Sequence, residues 1–133
     1  MEGKEPAASR GEYSRYVIHY PDVPTIDLVA GIKAHIVSHD KITLSFASCE
    51  PKAQLPSHRH PNEQMLLILD GAMDLVIEGK KYHLESGDVA VLPSNTEHGA
   101  YASDRGCRVI DAFSPPRQDF VAKLEEVKKS QQR

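Results

Sequence analysis

The sequence predicts an all-β domain, a sandwich or barrel closed by a short C-terminal helix. Three observations predict it. Short apolar segments rich in Val, Ile, Leu and Tyr recur from Tyr16 onward, at the roughly 8 to 12 residue spacing of antiparallel strands. Gly, Pro or Asn separates them, and nothing before residue 115 sustains a helical period.

The elements follow in order. Residues 1–14 are polar, carry Pro6 and Gly11, and read as a flexible N-terminal arm. Residues 15–114 form the barrel. Its expected strands are Tyr16–Tyr20, Thr25–Ala30, Ile32–Ser38, Ile42–Cys49, Gln64–Leu69, Met73–Glu78, Tyr82–Glu85, Val89–Leu92, Gly99–Ala102 and Cys107–Phe113. Asp70-Gly71 and Glu78-Gly79 are expected tight turns, because glycine takes positive φ at no steric cost. Residues 115–133 change character. Phe120, Val121, Leu124 and Val127 share one helical face, with Ser114 as the expected cap and Pro115 in the first turn.

Composition narrows the function classes. With 133 residues the chain has room for one compact domain and a core that needs no disulfide staples. Lys and Arg number 16 against 19 Asp and Glu, so no basic footprint for nucleic acid is present. No apolar run is long enough for a membrane span, and residues 1–13 lack the apolar core of a signal peptide. Two cysteines make no secreted disulfide framework, which points to the cytoplasm.

Seven histidines are the unusual feature. His58 and His60 stand two residues apart, and in an extended segment both imidazoles project to one side. Gln64 can add an oxygen donor, and His98 follows a turn at the start of a later strand. Three imidazoles and an oxygen suit one divalent transition metal ion: Ni, Zn, Fe, Mn or Cu. The competing interpretation is a polar loop flanked by Pro56, Ser57 and Pro61. Glu63 is the alternative oxygen donor, but on a strand it faces away when Gln64 faces in. His19, His35, His39 and His83 lack ligand spacing, and Cys49 and Cys107 read as small buried apolar residues.

The spacing resembles the two sequence motifs of the cupin superfamily. Lys52, His58, His60, Gln64 and Gly71 keep the intervals of the first motif; Gly87, Pro93, Asn95, His98 and Ala102 keep those of the second. The resemblance implies a double-stranded β-helix, or jelly roll, holding a metal on His58, His60, Gln64 and His98. Lys52 and Asn95 stand where the motifs have glycine, Ala102 where they have asparagine, and Gln64 where they have glutamate. A neutral amide cancels no charge on the ion, and it removes the carboxylate of the facial triad used by ferrous oxygenases.

A second patch, Asp111-Ala112-Phe113-Ser114-Pro115-Pro116-Arg117, is similar to a segment of the pectin-degradation (KdgF) cupins, which linearise Δ4,5-unsaturated uronates. That resemblance implies active-site roles for Asp111, Phe113 and Arg117. Asn62 departs from the histidine of many relatives. The expected function is therefore a metal-dependent, non-redox enzyme acting on a small carboxylate-bearing sugar. Arg117 would clamp the carboxylate and Asp111 would move a proton. The alternatives are a non-catalytic cupin that binds a sugar or organic acid, and a metal-dependent cupin dioxygenase. Open sheet edges suggest a homodimer that exchanges N-terminal strands.

Overall fold

The computed structural model describes residues 3–132. Its element order is α1 (Arg10–Tyr16), a single 3-10 turn (Tyr20–Asp22), β1 (Thr25–Val29), β2 (Ile32–Ser38), β3 (Thr43–Cys49), β4 (Gln54–His58), β5 (Glu63–Ile77), β6 (Lys80–Glu85), β7 (Val89–Leu92), β8 (His98–Ser114) and α2 (Gln118–Gln131). All strand pairs are antiparallel. Among the described residues no helix is long and apolar enough to cross a membrane.

Two long strands build the barrel. The second half of β8, Cys107–Phe113, lies between β3 and the first half of β5. Its first half, His98–Tyr101, lies between β4 and the second half of β5. Strand β5 likewise carries β7 along its first half and β6 along its second. The two halves are two sheets sharing both long strands, which is the jelly roll. A turn was expected at Asp70-Gly71, with separate strands on either side. Instead the ladder to β8 slips in register around Gly71, and the strand bends without ending. Gly71 has φ of 80°, and a Cβ there would sit 2.3 Å from the Gly106 carbonyl oxygen, so the bend needs glycine.

The alternating pattern of β2 and β3 places Ile32, Ala34, Ile36, Ala47 and Cys49 inside. They meet Leu66, Ile68, Met73, Leu75, Leu84, Leu92 and Val109 in one core. Helix α2 adds Phe120 and Leu124. The hairpin turn between β5 and β6 matches expectation: Glu78 and Gly79 both take positive φ.

Three further expectations need correction. The end of the expected flexible arm 1–14 is helical and the helix, Arg10–Tyr16, runs on into the expected barrel, because Ser9 and Glu12 form a reciprocal capping box; Met1 and Glu2 lie outside the described residues. The expected strand Tyr16–Tyr20 is not one, and the chain there runs from the end of α1 into the 3-10 turn at Pro21. Ser114 does not cap α2. It ends β8 and its hydroxyl donates to Lys41 O, while Arg117 takes the cap position. Two prolines between them delay the helix by keeping residue 114 and then residue 115 extended.

Candidate metal centre

The two motifs are brought together by strand pairing. His58 ends β4 and His98 starts β8, and the two are register partners. The close approach depends on Gly99, where a Cβ would meet Leu55 O at 2.9 Å and Ser57 N at 3.1 Å. His60 sits in the loop after β4, and Asn95 N donates to its carbonyl. Glu97 ties the outer side by accepting from Ser57 Oγ and Arg59 Nη2, each at 2.9 Å, and Arg59 holds its carboxyl below the usual range.

His58, His60 and His98 each offer a ligand nitrogen, all within 4.8 Å of one another. Backbone carbonyls decide which nitrogen. Pro56 O accepts from His58 Nδ1 at 2.9 Å, Asn62 O from His60 Nδ1 at 3.0 Å, and Thr96 O from His98 Nδ1 at 2.7 Å. A carbonyl only accepts, so each Nδ1 carries the proton and each neutral ring presents its Nε2 lone pair. Burial, aided by the Arg117 charge, lowers the pKa of His60; burial also lowers that of His98. Buried His98 Nε2 has no hydrogen-bond partner.

Gln64 completes the set. Its amide donates from Nε2 to Asp111 Oδ1 at 2.9 Å, which turns Oε1 toward His60 Nε2, 3.1 Å away. With His60 neutral and protonated on Nδ1, no proton lies between these two acceptors. Facing lone pairs are unfavourable without a cation, so the donor set fits a metal ion. Glu63, the alternative donor, is exposed on the other face of β5, while Gln64 is buried.

Asp111 and Phe113 lie on the inward face of β8 with Val109, and all three are buried. Burial pushes the Asp111 carboxyl up to about 6, against the Gln64 hydrogen bond and the Arg117 charge. Phe113 packs edge-on against His60 and Phe120, with centroids 5.7 and 5.6 Å apart. Arg117 lies over the Phe120 ring at 3.9 Å. Its guanidinium is engaged side-on: Nε and Nη2 donate to the two Asp119 carboxylate oxygens at 2.9 and 2.7 Å. The expected free clamp is thus already paired.

Of the candidate site residues, all but His60 line one cavity of about 290 Å³ between β1, β4 and α2, walled by Leu28, Leu55, His58, His98, Asp111 and Arg117 among others. An apolar pocket of about 60 Å³ continues inward past Gln64 and Asp111. A larger concavity, about 630 Å³, is elsewhere, around Arg105 and Arg108, and includes none of the three histidines.

Residues 45–113 match the model of the cupin domain. The chain belongs to the cupin family. Along 109 residues this cupin is 32% identical to the pectin degradation protein KdgF of Dickeya dadantii (strain 3937), covering 80% of the present chain and 98% of that protein. It is 28% identical over 109 residues to an H2HPP isomerase of Bacillus subtilis, covering 80% of this chain but 46% of that one. Among solved structures it resembles KdgF from Halomonas sp., with a TM-score of 0.70 and 33% identity over 77% of this cupin and 94% of that chain.

Asn62, Asp119 and Lys123 are parts of this region that the sequence did not single out for function. Asn62 Nδ2 donates to Pro115 O and Pro116 O, tying the histidine loop to the turn before α2. Asp119 holds Arg117, and Lys123 lines the cavity from α2. For Asp119 and Lys123 the sequence signal was their spacing on a helix whose apolar face is Phe120 and Leu124, and for Asn62 it was the departure from the histidine of many relatives.

Proposed function

We propose that this cupin is a metal-dependent, non-redox isomerase that opens Δ4,5-unsaturated uronates to linear 4-deoxy-5-keto uronates. One observation carries the proposal: Asp111, hydrogen-bonded to Gln64, lines the same cavity as His58 and His98, two of the three histidines whose nitrogens converge. The similarity to two KdgF proteins supports the substrate class.

His58, His60, His98 and Gln64 would hold the ion. When bound, a divalent metal supplies Lewis acidity toward a substrate oxygen. The conversion is an isomerisation. A proton leaves the anomeric hydroxyl, the bond from that carbon to the ring oxygen opens, and a proton arrives at C4 as the enol becomes a ketone. Asp111 has one oxygen fixed by Gln64 and would take and return that proton. Phe113 and Leu55 line the cavity with it, and Asp111 is itself buried. Arg117, stacked and held by Asp119, orients the substrate from the α2 side.

The test is incubation of the metal-loaded protein with unsaturated uronates from a lyase digest, following loss of the enol-ether absorbance. Acceleration over the spontaneous reaction is expected. No acceleration with any of the five metals would overturn the proposal and leave the binding-protein alternative.

A homodimer in the cytoplasm is part of the same proposal. β1 is a sheet edge, Tyr13, Tyr16 and Ile18 are exposed, and both cysteines are free, which suits a reducing compartment. Light scattering should give twice the chain mass.

A further inference from the structure

The cavity wall carries two cations, and the pairing of one leaves the other uncompensated. Arg117 and Lys123 both line the cavity that includes His58, His98 and Asp111. Asp119 stands four residues before Lys123 on α2, the spacing at which a helix normally pairs opposite charges. Its carboxylate turns the other way and takes Nε and Nη2 of Arg117 in a bidentate pair. The Arg117 side chain is only 12% exposed there, flanked by Phe113 and Phe120, so this pair is held firmly. Arg117 keeps further donors, but its charge is matched by Asp119. Among the described residues Lys123 has no acidic partner within 4.0 Å, and its Nζ makes one long contact, 3.4 Å, to Asp27 O.

We propose that Lys123 is the specificity-determining residue that selects a carboxylate-bearing sugar over its neutral counterpart. Arg117, neutralised by Asp119, orients the ligand by directional hydrogen bonds. Lys123 supplies the net positive charge at the α2 side of the cavity, and its long flexible stem lets the ammonium follow the carboxylate. Asp27 O is a weak partner that the ligand displaces at little cost. This inference rests on the uronate reading given above, but it concerns binding and not turnover.

The experiment measures binding of galacturonate and of galactose to the full-length protein with its metal, by chemical-shift titration. The wild type should prefer galacturonate, and salt should weaken that preference. Lys123→Met should weaken galacturonate binding about fivefold and leave galactose unchanged, while Lys123→Arg keeps the preference. Lys123 is exposed, so the fold tolerates both changes. Lys123→Met binding galacturonate as the wild type does would overturn the proposal. So would a wild type that binds both sugars equally or neither. Turnover of unsaturated uronate, assayed on the same proteins, is an independent readout. Its absence with charge-dependent binding intact overturns the isomerase and leaves the Lys123 assignment standing.

Discussion

Gln64 touches two groups of the candidate site through the two ends of its amide. Its oxygen faces His60 and its nitrogen holds Asp111, so a single amide orients both a prospective ligand and a prospective acid–base group. Gln64→Glu replaces the donor to Asp111 with a second carboxylate, and two such groups compete for one proton. Metal content should be kept and turnover of the unsaturated uronate should fall at least about tenfold, measured on the metal-loaded variant. Asp111→Asn should likewise retain metal while losing about a hundredfold or more in rate. Lys52 and Asn95 illustrate a different residue-scale point. Both stand where the cupin motifs have glycine, and both hold positive φ, 63° and 62°. Asparagine tolerates that conformation better than lysine. Lys52→Gly should therefore stabilise the protein, by about 0.5–1 kcal/mol in chemical denaturation.

At the scale of elements, the link between the histidine loop and α2 is a side chain. Asn62 is buried and satisfies the Pro115 and Pro116 carbonyls, which have no strand to pair with. Asn62→Ala leaves those acceptors unmatched and should cost about 1–3 kcal/mol by urea denaturation, with looser metal binding as the loop shifts. Helix α2 itself docks through Phe120 and Leu124, and Leu124→Ala should cost about 2–5 kcal/mol. The β5–β6 hairpin carries a pH-dependent contact. Glu85, and then Asp74, raises the pKa of exposed His83 by hydrogen bonding to its two nitrogens. A raised folded-state value means the contact stabilises below the ordinary histidine pKa and is lost as pH rises through the raised one. An NMR titration should place His83 above the ordinary value, and Glu85→Gln should bring it down.

At the scale of the whole molecule, the ion is expected to act as a staple between two strands and a loop. His58, His60 and His98 come from β4, the following loop and β8, so a bound metal favours the folded chain over the unfolded one. Chelation should lower the melting temperature, and readdition should restore it, with about 2.7 kcal/mol at stake when free metal is a hundredfold above its dissociation constant. Much of this architecture was legible in the chain itself. Short apolar segments bounded by turn residues marked β2, β3 and β7 closely, because strands rich in β-branched and apolar residues are broken where Gly, Pro or Asn turns the chain. The pairing of His58 with His60 was legible in their interval, and His98 through the resemblance to the cupin motifs, while the pairing of β4 with β8 is what brings the three side chains together. The continuity of β5 through Gly71 was not legible, because a bulge and a turn use the same glycine and only the partner strand distinguishes them. The short helix at Arg10–Tyr16 buries nothing, so no apolar period announced it. That Asp119 pairs with Arg117 and not with Lys123 was decided only in three dimensions. Which cation Asp119 neutralises depends on rotamers set by Phe113 and Phe120, contacts between β8 and α2 that no local pattern encodes.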